Sequence, residues 1–181
     1  MRTTLCGILT CCVALVCLAP AALADDRKDI DALYGKLTKL ILQNKPEGTL
    51  ALETADFKSK GRDGKVINGK QLVAQMRQES AKMKLKSFDI KLKKCAVKGK
   101  AAHIETTYTL TSEMVDTGGM MGPKGKKHEM AMTGIIISEL AKTAGVWKFK
   151  YMEEKAGTMT LDGKPFDPRM MGGPPPPKKT R

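Results

Sequence analysis

Near Lys84 the hydrophobic period of this chain changes from that of a helix to that of a strand, and this change limits what the chain can fold into. Upstream, apolar residues recur at Ile30, Leu33, Leu37, Leu40 and Ile41. That spacing predicts one face of a helix over Asp29–Leu42, with Asp29 or Asp31 placed to cap its start. Downstream, Phe88, Ile90 and Leu92 alternate with Asp89, Lys91 and Lys93. Ala102, Ile104, Thr106, Tyr108 and Leu110 then alternate with His103, Glu105, Thr107 and Thr109. This is strand spacing in β-forming residues. "HEMAMTGIIISEL" and "VWKFKYMEE", joined by "AKTAG", read as two further strands. Helices first and a strand meander after them predict an α+β domain whose antiparallel sheet has about four strands.

The polar stretches punctuate this pattern. "NKPEG" ends the first helix, and Pro46 can open a short second one to Glu53, since proline is tolerated in a first helical turn. In "ADFKSKGRDGKVINGKQLV", Asp63-Gly64 is a turn signal. Asn68 followed by Gln71 resembles a capping box for a third helix, roughly Gly69–Lys84, with Leu72, Val73, Met76 and Met83 near one side. "DTGGMMGPKGKK" reads as a Gly-rich hairpin loop. It lacks the strand-loop-helix context of a phosphate-binding loop. Residues 164–181 form a Pro/Gly/Lys-rich tail with almost nothing to bury, predicted disordered from Asp167.

The first 24 residues set the compartment. Arg2, an apolar run and Ala22-Leu23-Ala24 make a secretory signal peptide, which predicts a secreted or periplasmic protein. Lipid attachment at Cys17 is disfavoured because Val16, not a small residue, precedes it. Four of the five cysteines leave with the leader. Cys95 remains alone, so no internal disulfide can form and stability must come from a hydrophobic core. The remaining residues suffice for one domain, 25–163. The leader has one cation and no acid. The rest of the chain therefore keeps 31 of the 32 Lys and Arg against 19 Asp and Glu, net +12. This favours a solvated surface and weak contact with anionic envelope surfaces. Eight aromatics, no arginine cluster and no recognised motif speak against nucleic acid.

The order of these segments resembles the nuclear transport factor 2-like superfamily, which includes ketosteroid isomerases, SnoaL-like cyclases and many secreted bacterial domains. The resemblance is carried by the first helix, "TADFKSKGRDGKVINGKQLV", "VKGKAAHIETTYTL" and "GIIISELAKTAGVWKFKYM", over roughly Ile30–Met152. It implies a strongly curved sheet wrapped around three N-terminal helices as a cone. The polar passage after the second helix would cross the mouth of the cone. It also implies a homodimer through the outer sheet face and a pocket lined by Leu37, Phe57, Met76, Tyr108, Leu110, Met130 and Met132.

The chemistry of that pocket is less defined. Isomerases and cyclases of this superfamily use a carboxylate base inside the cone. Here the matching position falls near Ser59 or Lys60, leaving Asp56 and Asp63 as the nearest acids, with Asp63 belonging to the turn, and Tyr34 as a hydrogen-bond donor. This points away from catalysis and towards a small-ligand-binding or interaction domain. A SnoaL- or isomerase-like enzyme using Tyr34 and Asp56 is the alternative. A second alternative is copper binding: His128, Met130 and Met132 share one strand side, and imidazole and thioether suit Cu(I). No Cys/His set has zinc spacing, and no organic cofactor is expected.

Overall fold

The computed structural model describes residues 19–116 and 123–166. Most of the leader, the centre of the Gly-rich loop with Met120 and Met121, and the tail from Asp167 lie outside the described residues.

Helix α1 runs over Ala19–Leu42, ten residues earlier than the periodicity from Asp29 indicates. A 3-10 helix, Pro46–Leu52, follows. Strands β1 (Glu53–Lys60) and β2 (Val66–Asn68) lead into α2 (Gly69–Lys82), and the chain finishes with β3 (Met83–Lys98), β4 (Ala101–Val115), β5 (Lys127–Thr143), β6 (Val146–Leu161) and β7 (Lys164–Pro165). The capping box at α2 is complete. Asn68 Oδ1 accepts from the Gln71 backbone N–H at 3.0 Å, and Gln71 Oε1 accepts from the Asn68 N–H at 3.0 Å. No helix among the described residues is long and apolar enough to cross a membrane.

The sheet corrects the sequence reading. It has seven strands rather than about four, in the order β2-β1-β6-β5-β4-β3 with β7 beside β6. It is mixed, because β1 pairs with β6 in parallel. Strand β1, "ETADFKSK", buries only Glu53 and Phe57 fully, too few apolar positions to show a period of two. Its partner lies some ninety residues away, so nothing local announces it.

The register explains the curvature. Cross-strand pairing skips Lys86 and Lys93 on β3 and Lys150 and Lys155 on β6. Each skip is a bulge that leaves one residue unpaired and bends its strand. A lysine at such a position can extend into water. The bulges also keep the larger apolar residues on the concave side: inward positions on β3 run Met83, Leu85, Phe88, Ile90, Leu92, Cys95 and Val97.

The core fills one half of this concave face. Ile30, Leu33, Tyr34 and Leu37 of α1 pack with Phe57, Ala102, Ile104, Leu140, Trp147 and Phe149. Tyr34 meets Phe149 edge-on, with ring centroids 5.2 Å apart. The start of α1 is tied to the β5–β6 hairpin through Asp26. Its Oδ1 accepts from Lys142 Nζ at 2.6 Å and from Trp147 Nε1 at 3.0 Å, with the Lys142 ammonium 5.6 Å from the Trp147 ring centroid. The Lys142 bond, then the Trp147 bond, hold the Asp26 carboxyl below its ordinary value of 3.8. A carboxyl depressed in the folded state contributes stability above its unfolded pKa, and that contribution is lost as pH falls through the folded pKa. Asp26→Asn is therefore expected to be less stable than the parent at pH 7, with the gap closing once pH drops below 3.8. Denaturant titrations followed by emission of Trp147, the sole tryptophan, check this. A gap that persists at pH 2–3 would count against the anchor.

Candidate functional site

Beyond α1, the concave face continues as a half-buried apolar strip. Cross-strand pairing sets Phe88, Leu110, Met132 and Met159 in one row and Leu85, Ser112, Met130 and Leu161 in the next. Between this strip and the core lies a row of different character, Ile90–Tyr108–Gly134–Gly157. Two adjacent glycines leave a gap in the side-chain layer, and polar groups fill it from both sides. The Tyr108 ring lies over Gly134, where an added Cβ would sit 2.5 Å from Tyr108 Cε1 and 2.7 Å from the Ala156 carbonyl oxygen. From the other side the Arg62 guanidinium reaches Gly157, donating to its carbonyl oxygen at 3.0 Å. Both groups meet Glu154. Tyr108 Oη donates to Oε1 at 2.5 Å, and Arg62 Nε stands 3.3 Å from the same oxygen.

Each partner is placed by a local feature. Arg62 belongs to the loop between β1 and β2, inside the polar passage that the sequence puts at the mouth of the cone. Glu154 faces inward because the Lys155 bulge shifts the register of β6. Tyr108 is buried, and its ring stands 6.4 Å from that of Phe88. Burial first, and then the Glu154 carboxylate, push its hydroxyl above the ordinary 10.0. At neutral pH the hydroxyl is therefore a hydrogen-bond donor, far from the pKa a general base needs.

The sequence-derived candidates are distributed as follows. Tyr108, Leu110, Met130 and Met132 share the concave face, because they alternate in step with Ile104 and Leu140 of the core. Leu37 and Phe57 are buried within the core cluster itself, and Met76 is half-buried on α2. Tyr34 and Asp56 are not brought together. Tyr34 is buried against Phe149, where burial raises its hydroxyl pKa and Ser138 offsets this only in part. Among the described residues neither hydroxyl has a hydrogen-bond partner. Asp56 is exposed on the outer face, lining a charged hollow of about 400 Å³ with Lys58, Glu139, Lys150 and Tyr151. Thr54 first, then the Asp56 backbone, keep its carboxyl low. A second hollow, about 370 Å³, lies between the 3-10 helix and α2.

His128 sits at the far end of the concave face, buried, with Nδ1 2.8 Å from Asp162 Oδ2. Among the described residues no three His, Cys, Asp or Glu side chains converge as a metal site. Glu154 and Arg62 escaped sequence reasoning because they come from unconnected segments. Gly134, alone in an apolar strand run, was the one available signal, since glycine inside a strand often marks close approach of other groups.

No protein-family model matches the chain, and no curated protein matches it. Solved structures do. A conserved protein from Planctomyces limnophilus aligns at 13% identity with TM-score 0.60, covering 72% of this chain and 94% of that one. An NTF2-like protein of unknown function from Shewanella oneidensis aligns at 12% identity with TM-score 0.53, covering 71% and 98%. A ketosteroid isomerase-like protein from Erwinia carotovora aligns at 13% identity with TM-score 0.53, covering 70% and 94%. At such identities the likeness speaks for architecture, and the curved mixed sheet wrapped on α1 agrees with it: the chain has the nuclear transport factor 2-like fold.

Proposed function

We propose that this is a secreted, non-catalytic domain that holds a small, mainly apolar ligand on the open half of its concave face. The observation that carries the reading is the Tyr108–Glu154–Arg62 cluster beside the Phe88–Leu110–Met132–Met159 row. Small-molecule sites combine an apolar lining with a few placed polar anchors. Here the anchor offers a hydroxyl, a carboxylate and a guanidinium to the polar end of a ligand whose body lies on the strip. Secretion rests on the leader.

The test is native mass spectrometry of the purified protein for a retained small molecule, together with fluorescence titration using anilinonaphthalene sulfonate. Saturable binding of one dye per chain is expected. Leu110→Arg should abolish it, and Tyr108→Phe should weaken it about fivefold, the size of one net hydrogen bond. Absence of both a retained molecule and saturable dye binding removes the reading. So does dye binding unaffected by Leu110→Arg.

A second reading, isomerase- or dehydratase-like chemistry, draws on the same Tyr108–Glu154 pair and on the isomerase-like neighbour. The engagement of Glu154 Oε1 by both Tyr108 and Arg62 weighs against its use as a base. Turnover of an enolisable ketone that disappears in Glu154→Gln would favour it.

A further inference from the structure

The far end of the concave face carries a second cluster, which shares only Met130 with the apolar strip. Pairing sets Met83, Met114 and His128 side by side across β3, β4 and β5. Directly paired residues bring their Cβ atoms to about 4.5–5.5 Å, so the Met114 side chain is the immediate neighbour of the His128 imidazole. Met130 lies two residues further on the same side, about 7 Å along the strand, whereas Met132 is about 13 Å from His128 and beyond a shared ligand sphere.

The imidazole is held in one orientation. Asp162 sits in the β6–β7 turn at φ 50°. Its Oδ1 accepts from the Glu129 backbone N–H at 3.0 Å and its Oδ2 from His128 Nδ1 at 2.8 Å. Both Asp162 oxygens are engaged as acceptors, Oδ1 by the Glu129 N–H and Oδ2 by the imidazole, which makes Nδ1 the donor to the carboxylate. In the neutral imidazole Nε2 then carries the lone pair. His128 is 2% exposed, and among the described residues its buried Nε2 has no hydrogen-bond partner, nor has the Ser112 hydroxyl in the next row. An unpaired buried acceptor is costly unless something occupies its lone pair. A carboxylate behind an imidazole is the usual outer support of a metal-bound histidine. Among first-row metals, thioether donors beside imidazole select Cu(I).

We propose that His128 Nε2, with the thioethers of Met114 and Met130, binds one Cu(I) ion, and that Asp162 is the positioning residue that orients the imidazole.

The test is anaerobic titration of Cu(I) against the competing chelator bicinchoninate. It uses the full chain with Cys6, Cys11, Cys12, Cys17 and Cys95 changed to Ser, so that thiolates do not capture the metal. One Cu(I) per chain, bound more tightly than micromolar, is expected, with nitrogen and sulfur scatterers in the X-ray absorption spectrum. His128→Gln should remove the nitrogen contribution. Met114→Leu should weaken binding about tenfold or more, and Asp162→Asn about 10–100-fold with the nitrogen contribution retained. Met152→Leu, on the core side of β6, should leave Cu(I) affinity unchanged. Trp147 emission reports whether each variant is folded, and Met114→Leu serves if His128→Gln is not. No binding tighter than micromolar overturns the proposal. Binding unchanged in Met114→Leu and in a folded His128→Gln does so too, as does a crystal grown with Cu(I) in which a water bridges His128 Nε2 and Ser112. Dye binding at Leu110 is read separately, so either site can fail alone.

Discussion

Phe149→Ala is expected to lose about 3–5 kcal/mol of folding stability, the range for truncating a buried phenylalanine. Phe149 is 1% exposed and stands where α1, β1 and β5 meet. It pairs with Glu53 on one side and Leu140 on the other, and its ring stands perpendicular to that of Tyr34. Truncation leaves a cavity that a curved sheet pinned by hydrogen bonds cannot close. It also forfeits an aromatic pair worth about 0.5–1.5 kcal/mol. For a chain of this size the expected fall in Tm is roughly 6–20 °C, measurable by calorimetry or by Trp147 emission. Since whole domains are stable by only about 5–15 kcal/mol, the variant approaches unfolding at ordinary temperature. A loss below about 1 kcal/mol, the size of an ordinary point-mutant effect, would mean that α1 is not seated on the sheet as described.

Gly134→Ala is expected to be the most damaging addition of a single methyl group. The new Cβ would meet the Tyr108 ring at 2.5 Å and the Ala156 carbonyl oxygen at 2.7 Å. The ring could swing away by breaking its bond to Glu154, but the carbonyl is fixed by the β5–β6 ladder. Overpacking of this kind costs about 1–3 kcal/mol. Dye binding should fall as well, because the displaced hydroxyl no longer forms the anchor. Gly35→Ala is the control. It lies on the exposed side of α1 with nothing within 4 Å of an added Cβ, so helix propensity alone predicts a gain of about 0.5–1 kcal/mol. Equal behaviour of the two variants would contradict the close approach at Gly134.

How much of this was legible depended on whether the information was local. The α1 face, the Asn68–Gln71 capping box and the middle of each long strand follow from residues a few positions apart. Strand β1 did not show, because its sequence is polar and its parallel partner is distant. The full length of β3 was hidden by its bulges: Leu85 and Phe88 are three apart, as are Leu92 and Cys95, which breaks the alternation at both ends of Phe88–Leu92. The Tyr108–Glu154–Arg62 cluster has no sequence spacing at all. It exists only because a loop, a strand centre and a bulged strand converge over two glycines. At the far end, the sequence grouped His128 with Met130 and Met132 along one strand. The register instead gives His128 its nearest thioether across strands, at Met114.

The four skipped lysines also determine where this chain can change length. Deleting Lys93 would restore unbroken alternation, leave Leu92 and Cys95 on the same side as before, and merely flatten the strand. Deleting Lys91, two positions earlier, would force Ile90 and Leu92 onto opposite sides and drive one of them into water. Tolerance to loss of a residue is thus concentrated at Lys86, Lys93, Lys150 and Lys155. The same four sites govern how tightly the sheet closes around whatever it contains.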